Sequence, residues 1–204
     1  MEGKGPCPSG YFCPTQTDAI ICLPGHFCPG VGNRVPRQCP PGTFNEQTQQ
    51  SNCSVCPLGY ICAGWGLVQP QQCPAGFVCD SLGLSLPVVI CPQGYYCLPG
   101  TLTIDPAALS DRKPRPCPSG TFCLGGVAHS MAIDWLPTSP QGATAPQYCT
   151  EGTYCNAASF VASGSGLCFI GHYCPKGSVM PTETPRGTFA GQEGSVAPTL
   201  CFPG

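Results

Sequence analysis

The stretch Cys91-Pro92-Gln93-Gly94-Tyr95-Tyr96-Cys97 decides how the rest of the chain is read. The same unit opens the sequence as Cys7-Pro8-Ser9-Gly10-Tyr11-Phe12-Cys13. It returns at 22–28, 56–62, 73–79, 117–123, 149–155 and 168–174. Each copy has two cysteines six apart, a Gly three after the first, and usually an aromatic just before the second. Eight copies in one chain set the class of the protein as a tandem repeat.

Two Cα atoms six residues apart span roughly 20 Å in an extended chain. A disulfide needs them at about 5.5 Å. The segment must therefore reverse direction. In Cys-Pro-x-Gly, Pro stands second and Gly fourth, the preferences of a type I turn. The order Leu23-Pro24-Gly25 predicts type II, with Gly at positive φ. Tyr11, Phe12, Phe27, Tyr60, Phe77, Tyr95, Tyr96, Phe122, Tyr154 and Tyr173 then lie against the bridge or the next turn, as a small apolar seed in each repeat.

Connectivity stays open at this level. In one scheme each unit closes on itself: Cys7 with Cys13, Cys22 with Cys28, Cys56 with Cys62, Cys73 with Cys79, Cys91 with Cys97, Cys117 with Cys123, Cys149 with Cys155 and Cys168 with Cys174. Cys39 and Cys53 are then left as one more pair, and Cys201 has no partner. In the other scheme the second cysteine of each unit joins the first of the next. Cys53 must then join Cys56 across two residues, a short loop typical of reactive dithiols. Strain favours the first scheme. Closing a seven-residue loop removes enough unfolded-chain entropy to stabilise by ~2.4 kcal/mol.

Composition agrees. Nineteen cysteines in 204 residues exceed what a reducing cytosol normally carries and mark an oxidised, extracellular chain of the secretory pathway. The 27 glycines and 26 prolines disfavour long helices and wide sheets. The expected fold class is small disulfide-rich tandem repeats, stacked as an elongated rod or solenoid with short β-hairpins and turns and little helix. No single core is expected, because each repeat is too small to build one. Charged residues are only 9% of the chain, against a usual quarter. That excludes the basic stripe of a nucleic-acid binder. So little charge leaves an elongated chain sticky unless glycans, polar side chains or neighbouring subunits cover it.

Met1-Glu2-Gly3-Lys4 leads to Cys7 without the apolar stretch of a signal peptide, and no run approaches the length of a membrane span. Cys201-Phe202-Pro203-Gly204 resembles the opening of the unit at Cys22, so the expectation is a section of a longer array with the partner of Cys201 beyond it. First cysteines at 7, 22, 39, 56, 73 and 91 give a period of about 17 residues. Pro36, Pro70, Pro87 and Pro146 precede the first cysteine, and Gly30, Gly64, Gly100, Gly125 and Gly177 follow the second. They predict an extended approach and a tight exit.

The third repeat differs: Cys39-Pro40-Pro41-Gly42-Thr43-Phe44 runs to Cys53, then Cys56-Pro57-Leu58-Gly59-Tyr60-Ile61-Cys62 follows. Pro185-Arg186-Gly187-Thr188-Phe189 is a late near-copy, with Thr184 where the cysteine would stand. The run from Cys39 to Cys62 resembles the ephrin-receptor-like cysteine-rich repeat, a relative in style of TNF-receptor and EGF-like modules. The resemblance implies extracellular tandem arrays in surface, stalk and matrix proteins. It also implies a Cys39–Cys53 bridge. The chain then divides into two short repeats over 1–38, the ephrin-receptor-like repeat over 39–62, and further short repeats over 63–123 with a spacer at 98–116. A long spacer follows at 124–148, then two repeats over 149–184 and an incomplete one over 185–204.

The two spacers break the period. Residues 98–116 hold Asp111, Arg112, Lys113 and Arg115, the densest charge in the chain. Residues 124–148 hold Met131, Ile133, Trp135 and Leu136, too apolar for a solvated linker. Both either pack locally or make contacts with a subunit or ligand. Asn52-Cys53-Ser54 is an N-linked glycosylation acceptor, with Asn52 the attachment site. Thr138, Ser139, Thr144, Thr182 and Thr184 lie near prolines and are candidate O-linked sites. Metal binding and cofactors are not expected, since only Cys53 and Cys56 have zinc-like spacing and no calcium loop is present. His26 and His172 fill the slot held by an aromatic in other units. His129, Ser130 and Asp134 are too close in sequence for a triad, and Ser163-Gly164-Ser165-Gly166 lacks a nucleophile-elbow pattern. The expectation is no enzyme. It is a structural extracellular glycoprotein whose partners are copies of itself or other filament or coat subunits. The alternative is the ligand-binding ectodomain of a receptor or adhesin.

Overall fold

The computed structural model describes residues 5–15, 18–125 and 146–202. The chain divides into two units. The first is Met1–Cys73 with Cys79–Val88, and the second is Pro74–Val78 with Val89–Gly204. Among the described residues there is no helix, and every strand is two residues long. The fold is one of small disulfide-rich repeats made of hairpins and turns.

In the first unit Tyr11–Phe12 (β1) pairs with Ile20–Ile21 (β2), and His26–Phe27 (β3) with Arg37–Gln38 (β4). Thr43–Phe44 (β5) pairs with Ser54–Val55 (β6), and Tyr60–Ile61 (β7) with Gln71–Gln72 (β8). In the second unit Phe77–Val78 (β9) pairs with Val89–Ile90 (β10), and Tyr95–Tyr96 (β11) with Arg115–Pro116 (β12). Thr121–Phe122 (β13) pairs with Gln147–Tyr148 (β14), and Thr153–Tyr154 (β15) with Gly166–Leu167 (β16). His172–Tyr173 (β17) pairs with Thr182–Glu183 (β18), and Thr188–Phe189 (β19) with Thr199–Leu200 (β20). All ten pairs are antiparallel and share one register. Each repeat therefore runs from its first cysteine position to the residue before the next one. Repeat 1 starts at Cys7, and repeat 10 at Thr184.

The turn before each first strand is the same in all copies, and it is not the type I turn predicted for Cys-Pro-x-Gly. The closing hydrogen bonds are shifted by one residue. Tyr11 N–H donates to Pro8 O and Tyr95 N–H to Pro92 O, while His26 N–H donates to Leu23 O, as the type II turn expected for Leu23-Pro24-Gly25 requires. Gly is thus third in the turn, not fourth, and its φ lies between +77° and +86° in every repeat. With φ positive only at that third position, the turn is type II. Thr at the first strand position adds a lock. Thr43, Thr121, Thr153 and Thr188 each donate their hydroxyl back to the carbonyl three residues earlier, at 2.7 Å.

The turn glycine also joins neighbouring repeats. Its N–H donates to the carbonyl six residues past the start of the next repeat: Gly10 to Cys28, Gly42 to Cys62, Gly94 to Cys123, Gly152 to Cys174. Its own carbonyl accepts from the N–H that opens the next repeat, as from Cys22 to Gly10 and from Cys117 to Gly94. Two more bonds complete the rung. Gly66 N–H reaches Cys39 O, and Asn45 N–H reaches Leu67 O. The same pair recurs as Gly177 to Cys149 with Cys155 to Ser178, and as Gly194 to Cys168 with Cys174 to Ser195. A ladder of this kind satisfies backbone groups in segments too short for a sheet.

Among the described residues the buried apolar side chains are cysteines plus Phe77, Val78, Phe122, Ala190, Pro114 and Pro146. The residue before the second cysteine packs on the bridge of the following repeat. Val78 lies on Cys91 and Cys97, Tyr96 on Cys117 and Cys123, and Phe122 on Cys149 and Cys155. Sulfur takes the place of an aliphatic interior.

The turn glycine has a further reason to lack a side chain. A Cβ on Gly152 would meet the Gly194 carbonyl oxygen at 2.5 Å, whereas one on Gly187 would point into open space. Gly187→Ala should cost ~1–2 kcal/mol from left-handed backbone strain alone. Gly152→Ala should cost a further ~1–3 kcal/mol from the clash with main chain. Thermal unfolding of the two variants checks this: equal shifts would refute a contact role for the glycine.

Candidate functional site

The residues that carry chemistry here are the cysteines at the two ends of each turn. In eight pairs the type II turn places them with Cα atoms 5.7–6.2 Å apart, within disulfide range, while Cys39 and Cys53, fourteen residues apart, meet at 5.8 Å across the spacer. The pairs are Cys7–Cys13, Cys22–Cys28, Cys39–Cys53, Cys56–Cys62, Cys73–Cys79, Cys91–Cys97, Cys117–Cys123, Cys149–Cys155 and Cys168–Cys174. Every unit closes on itself, and Cys53 reaches back to Cys39 rather than forward to Cys56. Apart from Cys13 and Cys53 these cysteines are buried, so their sulfurs are shielded from exchange. Cys201 is exposed and free.

Two repeats depart from the pattern and show what the bridge replaces. In repeat 3 the sixth residue after Cys39 is Asn45, only 4% exposed. Its Nδ2 donates to His26 O at 2.6 Å, and its Oδ1 accepts from Gln47 N–H at 3.2 Å. Asn45 thus ties the repeat to its neighbour by hydrogen bonds, while Cys39 is bridged to the far end of the spacer. In repeat 10 both cysteines are gone. Thr184 N–H still donates to Gly171 O, and Gly171 N–H to Ala190 O, with Ala190 buried in the second cysteine's place. The expected incomplete repeat therefore has a full hairpin, β19 with β20.

A second left-handed residue in the spacers of repeats 2, 3, 4, 5, 8, 9 and 10 was not expected from the sequence. It is Gly32, Gly66, Gly83, Gly177 or Gly194, and in repeats 3 and 8 it is Gln49 (φ +63°) and Ala158 (φ +65°). Of the exit glycines expected above, only Gly177 holds this post. Gly30 precedes it by two residues, and Gly64 is not left-handed. The signal was present as a Gly nine or ten residues after the first position of repeats 2, 4, 5, 9 and 10, but Gln49 and Ala158 break it.

The other candidate residues are placed as follows. Asn52 is exposed beside Cys53, and Ser54 of its acceptor motif is exposed on β6. Thr182 is exposed on β18, and Thr184 opens repeat 10. Thr138, Ser139 and Thr144 lie outside the described residues, as do His129, Ser130, Met131, Ile133, Asp134, Trp135 and Leu136. His26 and His172 stand in β3 and β17, at the aromatic position. Ring Nδ1 of His26 lies 3.3 Å from Pro24 O, and His172 meets the edge of Phe169. Ser165 Oγ accepts the Asn156 N–H at 2.9 Å, which gives it a structural task. Among the described residues no three His, Cys, Asp or Glu side chains cluster as metal ligands.

The spacer at 98–116 is an ordered loop closed on itself. Leu102 N–H donates to Arg112 O at 2.9 Å, and Arg112 Nε to Gly100 O at 2.7 Å. Asp105 Oδ1 caps Ala107 N–H at 2.9 Å, and Lys113 Nζ donates to Ala108 O at 2.7 Å.

Such a density of buried bridges belongs to an extracellular or secreted, disulfide-stabilised protein. Among the described residues no helix is long and apolar enough to cross a membrane. No protein-family model and no curated protein sequence matches the chain.

Because the ladder persists in repeat 10 without sulfur, Thr184→Cys with Ala190→Cys should form a tenth bridge. The gain is expected near ~2.4 kcal/mol. Thiol titration of the denatured variant should still find one free group per chain, as in the parent. Three would show that the two positions do not meet.

Proposed function

We propose that the chain is a structural component of an extracellular filament, surface appendage or coat, built by lateral or end-wise association of stapled repeats. The observation that carries this reading is the surface. Large apolar side chains stand exposed in nearly every repeat, among them Val31, Trp65, Leu82, Val88 and Met180. Charge is too sparse to keep such a surface apart from its neighbours. Mechanically, each bridge shortens the length of chain that a pulling force can release, and buried sulfurs resist reductants. The resemblance of residues 39–62 to ephrin-receptor-like repeats supports an extracellular array. Glycans at Asn52, Thr182 or Thr184 would sit on exposed or partly exposed faces and limit which faces associate. This reading gives the chain a mechanical role and no catalytic one.

A second reading, a receptor or adhesin segment, is favoured by one feature: the 98–116 loop is internally bonded and presents a fully exposed Leu109. Preorganised loops with apolar tips suit recognition.

The oxidised chain, produced without glycans, should form reversible assemblies in sedimentation experiments at high micromolar concentration, and reduction should disperse them as unfolded monomers. A monomer at every concentration would end the structural reading. Replacing residues 98–116 by a spacer of ordinary length separates the two: the receptor reading predicts lost ligand capture with assembly intact.

A further inference from the structure

Two exposed surfaces of this sparsely charged chain match each other in charge and polarity. The first is the tip of the 98–116 loop. Leu109 is fully exposed and Ile104 is half exposed, and the exposed carboxylates of Asp105 and Asp111 flank them. Two cations of the loop are turned onto its own carbonyls, Arg112 to Gly100 and Lys113 to Ala108. Arg115, also exposed, belongs to β12. The tip therefore offers apolar side chains between acids.

The second surface is the spacer of repeat 2. Val31 and Val35 are each about two-thirds exposed, at 68% and 69%. Arg34 and Arg37 stand exposed beside them. Among the described residues neither arginine side chain has a hydrogen bond or ion pair, and neither does the carboxylate of Asp111. The backbone under the arginines is fixed: Gly32 N–H donates to Cys7 O at 2.7 Å, and Cys13 N–H to Asn33 O at 2.8 Å. Asn33 Nδ2 reaches Tyr11 O at 3.1 Å. Both surfaces are thus held by main-chain bonds, so little ordering entropy is lost on contact.

We propose that the 98–116 loop of one copy docks on the repeat 2 spacer of another, Leu109 and Ile104 against Val31 and Val35, Asp111 and Asp105 facing Arg34 and Arg37. Such a contact presupposes the self-association already inferred, and it gives that association a direction. The two faces are different patches of one chain, so the contact is heterologous. Heterologous contacts propagate into open filaments unless the rotation between copies closes a ring. Opposed charges set register and partner choice, while the apolar pair supplies desolvated area.

The test uses the full oxidised chain and its variants in sedimentation velocity at 50 and 500 mM salt, with bridge content verified by peptide mapping. The parent should associate, and more weakly at the higher salt, since exposed pairs are screened over about a Debye length. Leu109→Asp, Asp111→Arg and Arg34→Asp with Arg37→Asp should each weaken association about tenfold or more. Asp111→Arg combined with Arg34→Asp should recover most of it, and Glu193→Arg, on another exposed face, should leave it unchanged. A parent that associates but ignores these reversals, or a combined variant that recovers nothing, overturns the docking while leaving self-assembly standing. A parent that stays monomeric overturns both.

Discussion

One backbone constraint underlies this fold: the turn glycine of each of repeats 1 to 9 is hydrogen-bonded through both its N–H and its C=O to the repeat that follows. Its N–H meets the carbonyl at the end of the next turn, and its C=O meets the amide that begins it. Both bonds need the left-handed φ that only glycine adopts without strain. At Gly42, Gly94, Gly120 and Gly152 the missing Cβ also leaves room for a carbonyl from two repeats further along. A hairpin of two-residue strands would not persist alone in water. Linked in this way, each hairpin borrows its order from its neighbours, as in other one-dimensional repeats.

The bridges answer a different need. Sections of about 17 residues bury little beyond their own cysteines, so the hydrophobic term cannot offset the entropy of ordering them. Closing each turn covalently restricts the unfolded chain instead. The sulfurs then serve twice, because Val78, Tyr96 and Phe122 pack on the bridge of the next repeat. This explains the aromatic or branched residue before each second cysteine better than a seed inside its own repeat would. It also explains why so many large apolar side chains remain outside. With the interior filled by sulfur and main chain, there is no space for Trp65 or Leu82 except on the surface.

Much of this was legible from spacing. The Cys-x-x-Gly-x-x-Cys unit carries the turn, the bridge and the strand in seven residues, and strain alone pointed to closure within units. Turn type was legible at Leu23-Pro24-Gly25 but not in the Cys-Pro-x-Gly units, because Pro followed by Gly two residues later fits type I or type II, depending on which residue starts the turn. Cys7-Pro8-Ser9-Gly10 suggested the former, and the bond from Tyr11 to Pro8 selects the latter. The second left-handed position was hidden for a physical reason. Gln49 and Ala158 tolerate it at some strain, so the glycine pattern is interrupted where the geometry is not. Repeat 10 was legible as a near-copy around Thr184 and Gly187, but its full hairpin was not, because Gly187 and the ladder define the repeat and the cysteines do not.

Repeats 3 and 10 show how the two constraints divide the work. Asn45 and Ala190 occupy the second cysteine's place, and each carbonyl still accepts from the turn glycine of the repeat before, yet neither forms a bridge there. The ladder therefore sets where each repeat lies, and the disulfide sets how firmly its turn is held. That division frees the spacers. Between β11 and β12 the chain makes an excursion of eighteen residues, 97–114, yet the pair keeps the register of the short repeats. An insertion at this point loads no ladder bond, because its ends are fixed by Tyr96 on one side and Arg115 on the other. Variation in what such an array touches can thus accumulate in the spacers while the stapled turns stay the same.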